Sequence, residues 1–136
     1  MTTGKNEGFK TPIVRQVWPV EIRLKQAEKR LEIDFDDGRS FRYPAEFLRV
    51  ESPSAEVQGH GPGQKTLVPG RRHVGIMALE PVGNYAVRIK FDDLHDTGIY
   101  SWQYLYELGQ EQGTRWEKYL AELAERGLSR DPPKRS

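Results

Sequence analysis

The stretch 74-VGIMALEPVGNYAVRIKFDDLHDTGIYSWQYLYELG-109 decides the fold. Val74–Val82 and Tyr85–Phe91 are rich in β-branched and aromatic residues, and Gly83-Asn84 stands between them. That spacing predicts a hairpin with a primed turn. In the second arm Tyr85, Val87, Ile89 and Phe91 share one face, and Arg88 and Lys90 the other, as a strand with one wet side requires. Beyond Phe91 the period changes. Trp102, Leu105, Tyr106 and Leu108 fall at helical spacing, with Gly109 as the expected stop.

Upstream, Val20–Lys25 alternates apolar with polar, and Leu31, Ile33 and Phe35 repeat the alternation after Gln26–Lys29. Asp37-Gly38 is a tight-turn pair leading into a third short strand, Ser40–Tyr43, so an antiparallel meander is expected. Pro44 ends the ladder because it has no amide hydrogen to donate. Ala45–Val50 favours a short helix, and Ser52-Pro53 resembles a second helix start. Residues 59–72, rich in Gly and Pro, are expected to form an exposed loop. Downstream, Thr114 and Glu117 match a capping box, followed by the stripe Trp116, Tyr119, Leu120 and Leu123 and a stop at Gly127. The expected fold is α+β: an antiparallel sheet, made of a three-stranded meander plus a hairpin, with a short central helix and two C-terminal helices packed on it. Residues 1–17 are expected as a flexible arm, 18–127 as one domain and 128–136 as a disordered tail.

Composition excludes more than it assigns. The 136 residues carry a formal net charge of +1, too little for strong long-range attraction to nucleic acid or anionic lipid. No apolar run approaches the ~20 residues of a membrane helix. The opening residues lack the apolar core of a secretory signal, so a cytoplasmic location is expected. There is no cysteine, which removes disulfides, thiol nucleophiles and cysteine-ligated zinc or iron–sulfur clusters together.

Three features could carry chemistry. The loop 59-GHGPGQKT-66 nearly matches a phosphate loop, but Gln64 stands where the last glycine belongs and no helix is expected after it. Lys65, Arg71 and Arg72, beside His73, form a small basic cluster that an anion or an acidic partner could use. Asp92, Asp93, His95 and Asp96 offer carboxylates and an imidazole to a metal, yet the chain has only three histidines, none spaced for a helical metal pair. The local alternative is that the aspartates shape a turn while His95 joins them or stacks among Tyr100, Trp102 and Tyr104. As a general acid or base His95 has no nucleophilic companion.

Several segments taken together resemble a known family: 34-DFDDGRSFRYPAEFLRVESPSAEV-57, 81-PVGNYAVRIKFDDLHDTGIYSWQYLYELG-109 and the WEKYL run at 116–120. The chain is similar, over roughly 18–125, to the gamma-butyrobetaine hydroxylase-like N-terminal domain family, a domain-of-unknown-function family found alone or fused to larger proteins. In the carnitine-synthesis hydroxylases a similar domain carries a structural zinc on three cysteines and one histidine. The resemblance places the cysteines at Ser52, Ser54 and Val57 and the histidine at His95, with Leu94 replacing the usual glycine before it. It therefore implies a lost zinc site, with no metal and no cofactor expected, and His95 left to pin a turn. Fusion of related domains to nucleotide-dependent iron–sulfur cluster carriers implies an assembly or docking role.

The expectation is a non-catalytic module that binds another protein, linked to iron–sulfur assembly or to oxygenases and able to form a homodimer. Lys65, Arg71, Arg72, His95, Tyr100 and Trp102 are its candidate binding residues, since aromatics are enriched at hot spots. Neither a membrane nor a nucleic-acid partner is expected. The competing expectation is a metal-dependent enzyme or metal sensor built on His95 with Asp92, Asp93 or Asp96.

Overall fold

The computed structural model describes residues 16–59 and 63–133. The expected N-terminal arm lies outside the described residues except for Gln16 and Val17, and Val17 is buried. The element order is β1 (Pro19–Lys25), β2 (Arg30–Phe35), β3 (Ser40–Pro44), α1 (Ala45–Val50), α2 (Ala55–Gln58), β4 (Ile76–Val82), β5 (Ala86–Phe91), β6 (Ile99–Ser101), α3 (Trp102–Gln110) and α4 (Gln112–Glu125). The fold is α+β, as its patterning predicts.

The strands divide into two separate antiparallel sheets, ordered β1-β2-β3 and β4-β5-β6. The meander forms with Ile33 opposite both Ile22 and Phe41. The hairpin forms too, but its loop is one residue longer than a primed turn, because Val82 pairs with Ala86 and leaves Gly83–Tyr85 outside the ladder. Tyr85 is thus exposed rather than on the buried face with Val87, Ile89 and Phe91. The third strand of this sheet, β6, carries only three residues and pairs Val87 with Tyr100. Three residues are too few for a period to register in sequence.

Leu31, Ile33, Phe35, Val87, Ile89 and Phe91 from the two sheets meet Phe47, Leu48, Leu105 and Leu108 from the helices in one core. Several tyrosines tie this core to the main chain. Tyr43 donates its hydroxyl to Leu105 O (2.6 Å), Tyr100 to Leu48 O (2.5 Å), Tyr104 to Glu51 O (2.6 Å) and Tyr119 to Val68 O (2.6 Å). Burial pushes the Tyr43 and Tyr100 phenols well above their ordinary range and raises Tyr119 to about 12, so all remain donors at neutral pH. The many aromatics are therefore largely internal fasteners.

The helix boundaries correct three expectations. Ser54, not Ser52, caps α2, accepting the Glu56 N–H at 3.1 Å. Gly109 lies inside α3, where a Cβ would meet Phe41 Cγ at 2.3 Å. No capping box forms at Thr114, since α4 has already begun at Gln112. Gly127 does follow the last helix, in the left-handed region at φ +65°. The expected apolar stripe of α4 is narrower than its spacing predicts: Tyr119 and Leu123 are buried, but Leu120 is exposed.

Residues 128–133, read from sequence as part of a disordered tail, run back along the domain. Gly70 N–H donates to Ser129 O and Arg72 N–H to Arg130 O, both at 2.9 Å. Arg130 then clamps Glu46 through two hydrogen bonds of 2.7 and 2.9 Å and lies over the Trp116 ring. No helix follows the glycine-rich stretch within residues 63–75, and Val68 there is buried, so that segment is not wholly exposed. His60 lies outside the described residues.

Candidate functional site

The connection between β5 and β6, residues 92–98, opens with a tight turn. Leu94 N–H donates to Phe91 O (3.2 Å), Phe91 N–H donates to His95 O (3.0 Å), and Asp93 Oδ1 accepts the His95 N–H (3.1 Å). This turn delivers a buried imidazole to the segment between α1 and α2. His95 Nε2 and Ser52 Oγ are hydrogen-bonded at 2.9 Å, and the imidazole packs beside Phe91 rather than among Tyr100, Trp102 and Tyr104. Ser52 Oγ also accepts the Ser54 N–H (3.2 Å). Ser54 Oγ meets Thr97 Oγ1 at 2.8 Å, and Thr97 donates onward to Glu56 Oε1 at 2.5 Å. Val57 is buried in a small cluster with Val50, Val68, Tyr119 and Leu123.

Ser52, Ser54 and His95, positions that the family resemblance sets against zinc ligands, are thus brought together in one network. They do not fit zinc. Two neutral hydroxyls and a buried valine replace three thiolates, and the one imidazole nitrogen facing them is already bonded to a hydroxyl. Hydrogen bonds now join the loop before α2 to the turn before β6.

The aspartates are spent locally as well. Asp92 Oδ1 accepts the Gly75 N–H (2.9 Å), fastening the end of β5 to the segment before β4. Asp93 Oδ2 takes Arg49 Nε at 2.8 Å and Arg71 Nε at 2.7 Å. Burial alone would raise the Asp93 carboxyl, but the Arg49 hydrogen bond, the His95 amide and two guanidinium charges outweigh it, and its pKa is lowered. Asp96 is exposed. Among the described residues no three histidines or carboxylates gather in a way that could hold a metal ion.

The basic candidates are paired too. Lys65 and Arg115 both reach Glu51 Oε1, at 2.8 and 3.0 Å, Arg71 takes Asp93, and Arg72 takes Asp131. Of the two aromatic candidates, Tyr100 is fully buried and belongs to the core, so it offers no surface to a partner. Trp102 is half-buried and donates its indole N–H to Asn84 O (3.0 Å). Sequence reasoning missed Arg49, whose place beside His95 depends on how α1 packs against the turn. It also missed Thr97, whose hydroxyl completes the Ser54 link.

Burial, followed by the Arg49 charge, lowers the His95 pKa below its free value of about 6.5. Glu56, Asp93 and Asp96 oppose this and do not reverse it. The unfolded chain therefore takes up the proton first as pH falls. The stability due to neutral His95 is full above about pH 6.5 and is lost as pH drops toward the lower folded value. The urea midpoint is expected to fall between pH 7.5 and 5.5, with a smaller fall in His95→Gln. Equal falls in the two proteins would contradict this account.

Two three-stranded antiparallel sheets, fastened by helices and an internal hydrogen-bond network, define a small α+β domain. The chain belongs to the gamma-butyrobetaine hydroxylase-like N-terminal family, whose model matches residues 22–106. Two solved structures, both described as NMR solution structures of a protein, are 47% identical to it, with TM-scores of 0.78 and 0.76. The first covers 89% of this chain and 95% of its own, the second 93% and 94%. A crystal structure of a protein of unknown function from Acidithiobacillus ferrooxidans is 40% identical, with a TM-score of 0.57, over 67% of this chain and 91% of that one. No curated protein matches.

Proposed function

We propose that this chain is a non-catalytic docking module for another protein, in pathways of iron–sulfur cluster assembly or of oxygenases, and that Leu94 is its contact residue. Leu94 carries the reading. It is a leucine at φ +73° and is 83% exposed. Left-handed backbone costs a residue with a Cβ about 1–2 kcal/mol. An apolar side chain facing water recovers none of that, so folding gives no reason for leucine here. Strain that persists without a folding benefit points to function. The rigid turn beneath, held by the Asp93 and His95 hydrogen bonds, would present the side chain with little loss of freedom on binding.

The pathway assignment rests on the fusion habit of the family. Nothing among the described residues favours the metal-dependent alternative, because binding through His95 and Asp93 would have to break the bonds to Ser52, Arg49 and Arg71.

Leu94→Gly separates the two roles of this residue. The variant is expected to keep or raise stability, by up to about 1 kcal/mol as the strain is relieved. It is also expected to lose partners recovered by affinity capture from host cells and identified by mass spectrometry. Recovery of no reproducible partner by the parent chain, or of the same partners by the variant, would count against the proposal.

A further inference from the structure

We propose that β1 is the strand through which two copies of this chain pair, antiparallel, about a two-fold axis at Ile22. The inference stands apart from the role given to Leu94.

Among the described residues no strand pairs the outer edge of β1, which lies at the end of its sheet. The main-chain groups on that edge can be assigned. Phe35 N–H donates to Arg39 O and so faces β3, whereas Asp36 N–H donates to Trp18 O and faces the β1 side. Alternation along β2 then turns Asp34, Glu32 and Arg30 toward β1, where they oppose Glu21, Arg23 and Lys25. Ile22 and Leu24 are left with their N–H and C=O groups directed outward, as a new strand would need.

Side chains add an apolar margin. Ile22 lies opposite the fully buried Ile33, yet it is 38% exposed, and Val20 is 68% exposed. The core face of this sheet therefore runs out into water at β1. The register is broken only between Pro19 and Glu21, so Glu21–Lys25 remains a regular edge.

Charge selects both the occupant and the register. The Arg23 guanidinium is held on its own sheet by Glu32 (3.1 Å) and Asp34 (2.9 Å); a two-fold axis at Arg23 would set it against its own copy while pairing Glu21 with Lys25, and one at Leu24 would set Arg23 against Lys25. An axis at Ile22 instead places Glu21 opposite Arg23 on both sides, with Ile22 against Ile22 and Val20 near Leu24. Opposite charges facing across strands stabilise and like charges destabilise. Ile22 is also a position whose main chain faces outward, so the same axis forms a hydrogen-bonded pair. Such an interface is isologous, as two-fold dimers require. It joins the two meanders into a six-stranded sheet.

The test is sedimentation equilibrium of the 136-residue chain, with circular dichroism to confirm folding. A single strand pair makes a small interface, so dissociation on the order of 10–100 µM is expected. Glu21→Arg sets like charges opposite each other twice, at an exposed side chain that also pairs with Arg23 of its own strand at 3.2 Å, and is expected to weaken the dimer at least about tenfold. Ile22→Lys, which places two ammonium groups on the axis, should do the same. Leu94→Gly should leave the dimer intact, so failure of this proposal and failure of the Leu94 reading give different results. A chain that stays monomeric to about 1 mM, a folded Glu21→Arg variant with unchanged affinity, or a dimer lost in Leu94→Gly would overturn it.

Discussion

Gly109→Ala is expected to lower the stability of the chain by about 2 kcal/mol, although alanine is the better helix former by about 1 kcal/mol. Gly109 lies within α3, and an added Cβ would fall 2.3–2.7 Å from three atoms of the Phe41 ring. The ring cannot swing aside cheaply, because it packs edge-on against Phe35 and Tyr106 and beside Tyr43. Either α3 lifts from β3 or the aromatic cluster opens. Both forfeit dispersion contacts in a close-packed interior. Gly113→Ala, in the next helix, is the internal control. Nothing lies within 4 Å of the Cβ that it adds, so helix propensity alone should act and stability should rise by about 0.5 kcal/mol. Urea denaturation of both variants decides the matter. Stabilisation by Gly109→Ala would mean that α3 does not approach β3 this closely.

Asp93→Ala is the second large effect, about 3 kcal/mol of lost stability. Arg49 is 8% exposed, and its Nη1 already has no hydrogen-bond partner. Removing Asp93 strips the carboxylate from Arg49 Nε and leaves a charge that is nearly buried and uncompensated. The same carboxylate holds Arg71 and the His95 amide, so the turn beneath Leu94 loosens as well. Exposure of the carboxylate edge to water keeps the cost near the lower end of the range for buried pairs. Arg49→Met in the Asp93→Ala background should recover more than half of the loss, since it removes the orphaned charge. Additive losses in the double variant would show that the two residues do not act as a pair.

The predicted strands and helices trace to patterns that are local in the chain. Leu31, Ile33 and Phe35 alternate because one face of β2 is buried, and Ala45–Val50 follows a proline that cannot extend the ladder. Gly109 shows where such reading stops. A glycine at the end of an apolar helical run has the pattern of a stop, and only the position of Phe41 across the domain reveals a close approach between elements. The candidate site divides the same way. Leu94 was visible as a departure from the family's glycine, but its left-handed backbone and exposure were not. Tyr100 and Trp102 are alike candidate binding aromatics in sequence, and packing separates them into a core fastener and a half-buried rim.

By itself the sequence determined the secondary-structure periods, the absence of thiolates and the family, since each depends on residue identity and short spacing. Tertiary structure alone decided that the strands form two sheets rather than one. It also decided that Asp93 beside His95 is neutralised by Arg49 and Arg71, and that β1 stands at the end of its sheet, with no strand on its outer side among the described residues. The physical reason is that charge pairing, burial and edge exposure depend on which distant segments meet. Those meetings are set by the whole core, with no trace in any local window of the chain.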